Sequence, residues 1–289
     1  MKSKLFTGTC TALVTPFLDG QINFKMLEKL LTRQIDAGIR AVVLSGTTGE
    51  SPTLSDTEKL ELFRRAKSFV GDSCMIIAGT GSNATAHAVS LGVAAEEAGA
   101  DSLLIVSPYY NKATPAGLLA HYCAIAESVS IPMILYNVPS RTGLDMPVSV
   151  YRKLSRIPKV AGVKEASVDI PKVTRTINEC DEGFCVWSGN DELAVPVISV
   201  GGQGLISVMS NICPVETKAM VEAALDGDFD TAASIHSQLQ PLCELLFCEV
   251  NPIPVKAAMK YIGYDCGDCR LPLCSLTEEH RQKMEKFFS

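Results

Sequence analysis

The stretch AVVLSGTTGESPTLSDTEKLELFRRAKSFVGDSCMIIAG (residues 41–79) reads as one strand–helix–strand unit. Its ends, Ala41–Ser45 and Met75–Gly79, are short and almost continuously apolar, as strands buried on both faces are. Between them, Ser55-Asp56-Thr57-Glu58 is a capping box, in which the Ser hydroxyl and the Glu carboxylate each accept the other residue's backbone N–H. Leu62, Phe63, Ala66 and Phe69 follow at helical spacing. Similar units extend both ways. Upstream, Asn23 caps a helix with Leu27, Leu30, Leu31 and Ile35 on one face, ending at Gly38; downstream, the Ala-rich segment Ala84–Ala98 ends at Gly99. Further apolar runs are Cys10–Thr15, Ser102–Val106, Pro132–Tyr136, Val160–Val163, Phe184–Trp187 and Gly204–Val208. The eight runs begin at residues 10, 41, 75, 102, 132, 160, 184 and 204, and each interval has room for one helix and two short loops. Eight such units without a domain-scale linker predict an α/β fold, a (β/α)8 TIM barrel. An open doubly wound sheet is disfavoured, because no G-x-G-x-x-G turn follows the first strand. The barrel is expected over residues 1–225, with 226–289 as a C-terminal helical appendage packed on it. That appendage reads as helices at Phe229–Phe247, Val255–Ile262 and Glu278–Phe287, with Asn251-Pro252-Ile253-Pro254 breaking the first two apart.

Composition narrows the function. The 289 residues carry 26 Lys and Arg against 32 Asp and Glu, a net charge of −6. An acidic chain without basic blocks repels nucleic acid and anionic membranes, so neither is an expected partner, whereas one local Arg suffices for a small anion. The four His show no metal-ligand spacing, so no metal is expected. Met1-Lys2-Ser3-Lys4-Leu5-Phe6-Thr7-Gly8 lacks the apolar core of a signal peptide, and no apolar run spans a bilayer. Eleven Cys fit a reducing cytoplasm, where thiols serve as small hydrophobes. Cys266-x-x-Cys269-x4-Cys274 reads either as a metal or redox site or as a Cys-rich loop; without a second C-x-x-C pair the loop is the better reading.

Catalytic groups of such a barrel sit at the C-terminal strand ends. There the chain places Gly46-Thr47-Thr48-Gly49-Glu50-Ser51, Ser107-Pro108-Tyr109-Tyr110-Asn111-Lys112, Tyr136-Asn137-Val138-Pro139-Ser140-Arg141, Val163-Lys164-Glu165 and Ser188-Gly189-Asn190-Asp191. Lys164 stands out, because it follows small and apolar residues of an inner strand. It either reaches solvent or pairs with Glu165, or it points inward, where an amine that has lost its proton is a nucleophile and forms Schiff bases. Tyr110 and Tyr136 are phenols fit to shuttle protons, with Thr47 as a hydrogen-bonding link. Gly46 and Gly49 bracket the two Thr and leave backbone N–H groups for an anion. Arg141 offers a fork matched to a carboxylate. Together these parts suit a carbonyl substrate that carries a carboxylate, held beside an amine.

In sequence order, G-T-T-G-E-S (46–51), A-G-T-G-S-N (78–83), S-P-Y-Y-N-K (107–112), Y-N-V-P-S-R-T-G (136–143), G-V-K-E-A-S (162–167), S-G-N-D (188–191), G-L-I-S-V (204–208), N-P-I-P-V-K (251–256) and R-L-P-L (270–273) cover essentially the whole chain. With them the chain resembles the dihydrodipicolinate synthase family, pyruvate-dependent class I aldolases related to N-acetylneuraminate lyase. The resemblance implies a Schiff-base lyase of lysine and diaminopimelate biosynthesis. It would condense pyruvate with L-aspartate 4-semialdehyde to 4-hydroxy-tetrahydrodipicolinate, without metal or other cofactor. It implies that Lys164 attacks pyruvate, that Tyr136 donates and accepts protons, and that Thr47 and Tyr110 complete the relay. Tyr110 would reach in from the adjacent subunit of a cytoplasmic homo-oligomer, often a tetramer built as a dimer of dimers. Thr48 and Ile206 match pyruvate contacts, the latter partly through its backbone. Arg141 matches the holder of the aldehyde's carboxylate, and Gly189 a backbone position beside that substrate.

Two rival readings are a related aldolase acting on a sugar acid, which shares the Lys and Tyr but generally lacks Arg141, and a catalytically silent barrel. Some family members bind L-lysine at positions matching Ser51, Asn83, His87 and Tyr109. Sensitive members usually carry a carboxylate where this chain has His87, so weak or absent lysine inhibition is expected.

Overall fold

The computed structural model describes residues 4–289; Met1–Ser3 of the N-terminal segment lie outside the described residues. The strands are β1 (Gly8–Ala12), β2 (Phe17–Leu18), β3 (Gln21–Ile22), β4 (Ala41–Leu44), β5 (Met75–Gly79), β6 (Ser102–Val106), β7 (Met133–Asn137), β8 (Val160–Glu165), β9 (Cys185–Ser188) and β10 (Gly204–Ser207). The helices are α1 (Phe24–Asp36), α2 (Asp56–Val70), α3 (Thr85–Glu97), α4 (Pro115–Ser128), α5 (Pro139–Thr142), α6 (Val148–Leu154), α7 (Ile170–Glu179), α8 (Ala194–Ser199), α9 (Pro214–Leu225), α10 (Phe229–Leu246), α11 (Ile253–Tyr261) and α12 (Glu278–Phe288). Strands β1 and β4 to β10 pair in parallel, and β1 closes the ring by pairing with both β4 and β10. This is the expected TIM barrel with C-terminal helices.

Strand periodicity decides what each side chain faces. Ala41 and Val43 of β4, and Ile134 and Tyr136 of β7, point into the barrel with Cys10, Ile77, Leu104 and Ile206. Their neighbours Val42, Leu44, Met133 and Leu135 point outward to the helices. Trp187, fully buried and level with Gly204, stacks on Phe6 with ring centroids 4.7 Å apart. Two large aromatics thus fill the N-terminal end of the barrel, leaving the opposite end for chemistry.

Helix signals behave as read. The Asn23 side chain accepts from the Met26 N–H, and the Ser55–Glu58 capping box is complete. Gly38 and Gly99 turn the chain with φ of +82° and +92°, a region that costs a residue with a Cβ.

Several boundaries differ from the sequence reading by a few residues, and two of the differences have a clear physical cause. The first strand runs from Gly8 to Ala12, not to Thr15, because the Val14 N–H turns to the Asn211 side chain at 3.2 Å. The chain then forms the unexpected hairpin β2–β3, whose turn holds Asp19 and Gly20 at positive φ. Near the tail, the expected break separates α10 from α11 at residues 247–252, but Ile253 and Pro254 already belong to α11. Proline is tolerated in a first turn, where its missing N–H has no intrahelical partner to lose.

Candidate active site

Lys164 and Tyr136 sit side by side, paired in register at the ends of β8 and β7. Lys164 is 5% exposed and Tyr136 6%. The lysine Nζ lies 4.5 Å over the Tyr136 ring centroid, inside the barrel mouth. Lys164 therefore does not reach out to Glu165; the two alternate across the barrel wall. A cavity of about 270 Å³ opens above them, lined by Thr47, Thr48, Arg141, Lys164 and Gly189 among others. A Cβ on Gly189 would stand 3.0 Å from Lys164 Cε and 2.9 Å from Ala166 Cβ, so any side chain there would crowd the amine. Arg141, on the short helix α5, is exposed at the rim, and its Nη2 donates to the Asn251 carbonyl at 3.3 Å.

The residues after Tyr136 and Lys164 hold these two in place from behind. The Asn137 amide donates to Glu165 Oε1 at 2.7 Å, locking β7 to β8. Tyr151 donates to Glu165 Oε2 at 2.9 Å and the Ser167 N–H to Oε1 at 2.9 Å. Lys172 supplies the counter-charge, 3.6 Å from Glu165 and bonded to Asp145. Burial, and secondarily the Glu165 carboxylate, raise the Tyr151 pKa well above its usual range, so this phenol stays a donor. A carboxylate satisfied this fully can stay buried behind the strand while its neighbour carries the chemistry.

The Thr47–Thr48 turn is held from two sides. Gly49 donates to Gly46 O at 3.1 Å and Ser51 to the same oxygen at 3.2 Å, while Thr15 Oγ1 donates to Gly49 O at 2.7 Å. The Gly49 N–H is thus used inside the turn. Thr48 Oγ1 accepts from Asn251 Nδ2 at 3.0 Å. Glu50, at φ +57° and buried, receives Lys256 Nζ at 2.8 Å and the Arg270 N–H at 2.8 Å. Lys256 and Arg270 also flank the Phe17 ring, at 4.4 and 4.3 Å from its centroid. The C-terminal segment therefore clamps the turn after β4.

With this geometry in view, comparison with known proteins is informative. The model of the dihydrodipicolinate synthetase family matches residues 5–289. The chain is 44% identical to the 4-hydroxy-tetrahydrodipicolinate synthase of Acetivibrio thermocellus, over 97% of this chain and 95% of that one. It is 46% identical to the enzyme of the same name from Methanosarcina barkeri, over 97% and 96%. Its fold superposes on the dihydrodipicolinate synthase of Aquifex aeolicus with a TM-score of 0.96 at 40% identity, covering 98% and 97% of the two chains. A Cyanidioschyzon merolae relative solved with lysine bound gives 0.95 at 39% identity, covering 98% and 97%. The chain belongs to the dihydrodipicolinate synthetase family. It is a Schiff-base-forming lyase of the class I aldolase type, and the sugar-acid alternative is not favoured.

The other residues singled out from the sequence of this family member are dispersed. The Ile206 side chain is fully buried in the barrel, paired in register with Cys10, and Val208, two residues on, lines the cavity. Tyr110 stands 92% exposed at φ +71° on the loop after β6 and does not line the Lys164 cavity of its own chain. Ser51, His87 and Tyr109 line a second opening of about 280 Å³, which shares Thr47, Tyr136 and Arg141 with the first. Asn83 does not line it; its carbonyl accepts from Asn111 Nδ2 at 2.9 Å. Cys266 is buried, Cys269 half-buried and Cys274 exposed. Burial pushes the Cys266 and Cys269 thiols up to about 12. Among the described residues no three His, Cys, Asp or Glu side chains group as metal ligands, and no helix is long and apolar enough to cross a membrane.

The sequence reading assigned no role to Glu50, Asn251, Lys256, Arg270 or Asp191. One signal was available: Lys256 interrupts the apolar run Ile253–Ala258, so its charge had to be matched inside. Asp191 is fully buried near Lys164 and accepts from the Ser207 hydroxyl and from the Val208 and Met209 N–H groups at 3.0 and 3.2 Å. Desolvation raises its pKa, opposed by these bonds and by the Lys164 charge. It anchors the turn after β10 at the edge of the cavity.

Proposed function

We propose that this chain condenses pyruvate with L-aspartate 4-semialdehyde to give 4-hydroxy-tetrahydrodipicolinate, through a Schiff base on Lys164. The observation that carries this reading is the buried Lys164 amine against the Tyr136 ring at the mouth of a closed barrel. Lys164 adds to the pyruvate ketone and water leaves, giving an iminium. A methyl proton departs through Tyr136, with Thr47 and the Tyr110 of a second copy as relay, and the electron pair moves to the nitrogen as an enamine. The enamine carbon attacks the aldehyde, forming the new carbon–carbon bond. The amino group of the second substrate then displaces Lys164 and closes the ring. The iminium is the electron sink, so the reaction needs neither metal nor cofactor. Thr48 contacts pyruvate, as does the backbone of Ile206. Arg141 holds the aldehyde's carboxylate, beside the backbone of Gly189. The exposed Tyr110 supports a homo-oligomer, and we read it as a tetramer, a dimer of dimers, working in the cytoplasm.

Borohydride reduction in the presence of pyruvate tests this directly. The expected product is a pyruvyl adduct on Lys164 in the digest; an intact, unmodified Lys164 overturns the reading. Turnover with aspartate semialdehyde but not with N-acetylneuraminate separates it from the sugar-acid lyases.

Arg141→Ala is expected to raise KM for aspartate semialdehyde by roughly 10- to 100-fold, the loss of a charge-assisted fork on a carboxylate. The pyruvate adduct should form as before, since Arg141 lies at the rim. Steady-state kinetics in both substrates check this, and an unchanged KM for the aldehyde counts against the role. L-lysine is expected to inhibit weakly or not at all, because an imidazole stands at position 87; half-inhibition at micromolar lysine would contradict it.

A further inference from the structure

A third cavity, of about 280 Å³, lies between α11, α12 and the segment that connects them, and Cys269 and Cys274 both line it. We propose that these two cysteines form a reversible disulfide, closed by a hydroperoxide and opened by thiols, which staples the turn that carries Arg270. That turn is closed by the Leu273 N–H, which donates to the Arg270 carbonyl at 3.1 Å. Cys269 and Cys274 are the residues immediately outside this hydrogen bond. Residues so placed stand opposite one another, about 4.5–5.5 Å apart at Cα, and a disulfide spans about 4.4–6.8 Å. Because both side chains reach one cavity, they leave the turn on the same side. Cys266, the third member of the cluster, is fully buried and is not among the residues that line the cavity.

The two arms of the turn are held differently. On the Cys269 side, Lys256 Nζ donates to the Asp268 carbonyl at 3.1 Å, and the Arg270 N–H donates to Glu50 Oε2 at 2.8 Å. The Arg270 guanidinium adds bonds to the Thr53 and Gly20 carbonyls and to Glu58. On the other side, among the described residues, no hydrogen bond holds Cys274, Ser275 or Leu276, and Leu271 at the tip is 82% exposed. The Cys274 arm is thus free to close on a fixed Cys269. Exposure sets the order of events, since Cys274 is exposed and Cys269 half-buried. Burial, and secondarily the Glu50 carboxylate, push the Cys269 thiol up to about 12, so it stays protonated and unreactive toward a dissolved oxidant. The Cys274 sulfur therefore attacks the hydroperoxide. The O–O bond breaks, two electrons pass from sulfur to the peroxide, and a sulfenic acid and water form from hydrogen peroxide. The Cys269 sulfur then attacks the Cys274 sulfur, and the departing hydroxide takes the Cys269 proton as a second water. Two thiols and one hydrogen peroxide give one disulfide and two waters. A dithiol reverses the step by exchange, returning two electrons and becoming oxidised itself.

Trypsin separates the two cysteines, because it cleaves after Lys260, Arg270 and Arg281 and so places Cys269 in Tyr261–Arg270 and Cys274 in Leu271–Arg281. The test treats the full chain with one equivalent of hydrogen peroxide, blocks the remaining thiols by alkylation and maps the digest. The expected result is an intact protein lighter by two hydrogens, with these two peptides joined and parted again by dithiothreitol. Fragment ions should assign the bond to Cys269, with Cys266 alkylated. The link should form at least about tenfold faster than any other cysteine oxidation product of the chain. Cys274→Ser, a change at an exposed site, and Cys269→Ser should each abolish it. Should Cys269→Ser not fold, as judged by its melting curve, Cys274→Ser decides. The linked protein should melt roughly 2–6 °C above the reduced one, because the bond restrains the unfolded chain and holds Arg270 at Glu50. Cys274→Ser should show no such shift. Peptides that stay separate, a bond through Cys266, Cys274 carried to sulfinic acid while Cys269 remains a thiol, or a linked protein that melts no higher than the reduced one overturns the proposal. No substrate takes part, so none of these outcomes bears on the borohydride adduct of Lys164.

Discussion

Lys164→Ala is expected to lower kcat by on the order of 10⁴-fold or more, as removal of a covalent nucleophile does. Among the described residues no other amine lines the Lys164 cavity; Arg141 at its rim carries a guanidinium, which is not an amine nucleophile. Lys164→Arg should therefore be as inactive as the alanine variant. The loss should be chemical and not structural. The hydrogen bonds that hold the end of β8 are made by Glu165, behind the wall, and survive the truncation. The measurements are turnover with both substrates, intact mass after borohydride and pyruvate, and a thermal melt. Residual activity above about 1% of wild type with the fold intact would remove Lys164 from its assigned role.

Breaking the Glu50–Lys256 pair should produce the largest effect on stability. Both side chains are almost wholly buried, and they meet at 2.8 Å. Lys256→Met strands a carboxylate in the interior, at a cost of about 3–5 kcal/mol. For a chain of this length that corresponds to a fall in melting temperature of roughly 10 °C. Activity should fall with it, because Glu50 closes the turn that carries Thr47 and Thr48, and Thr48 takes a further bond from Asn251 in the same C-terminal segment. The double variant Glu50→Gln/Lys256→Met removes both charges and should recover most of the lost stability, since the penalty comes from the uncompensated partner. Calorimetric melts of the two variants check this. A Lys256→Met protein that melts within about 2 °C of wild type would show that the pair does not hold the turn.

Much of the barrel was legible because its strands are buried on both faces. Such strands leave short continuous apolar runs, and β5 and β6 fall on the residues read from the sequence. The miss at β1 has a specific cause. Leu13, Val14 and Thr15 continue the apolar run, but the Asn211 side chain, 197 residues away, takes the Val14 N–H and diverts the chain into the β2–β3 hairpin. Strand periodicity likewise permitted either Lys164 or Glu165 to face the interior. Which one does follows from the register with β7, where Tyr136 lies beside Lys164 and Asn137 beside Glu165.

Local pattern therefore determined the succession of strands and helices, the caps that start them, and the small set of strand-end residues from which the chemistry is drawn. These properties depend on neighbours a few positions apart, so one chain suffices to read them. Closure of the barrel decided the rest. It set Tyr136 and Lys164 together on the inside and their neighbours Asn137 and Glu165 behind the wall. It also brought Lys256 across 206 positions of sequence to Glu50. Each of these is a match of buried charge or hydrogen bond between distant segments. Its energy arises only when both partners leave water together, and no periodicity in the sequence records that event.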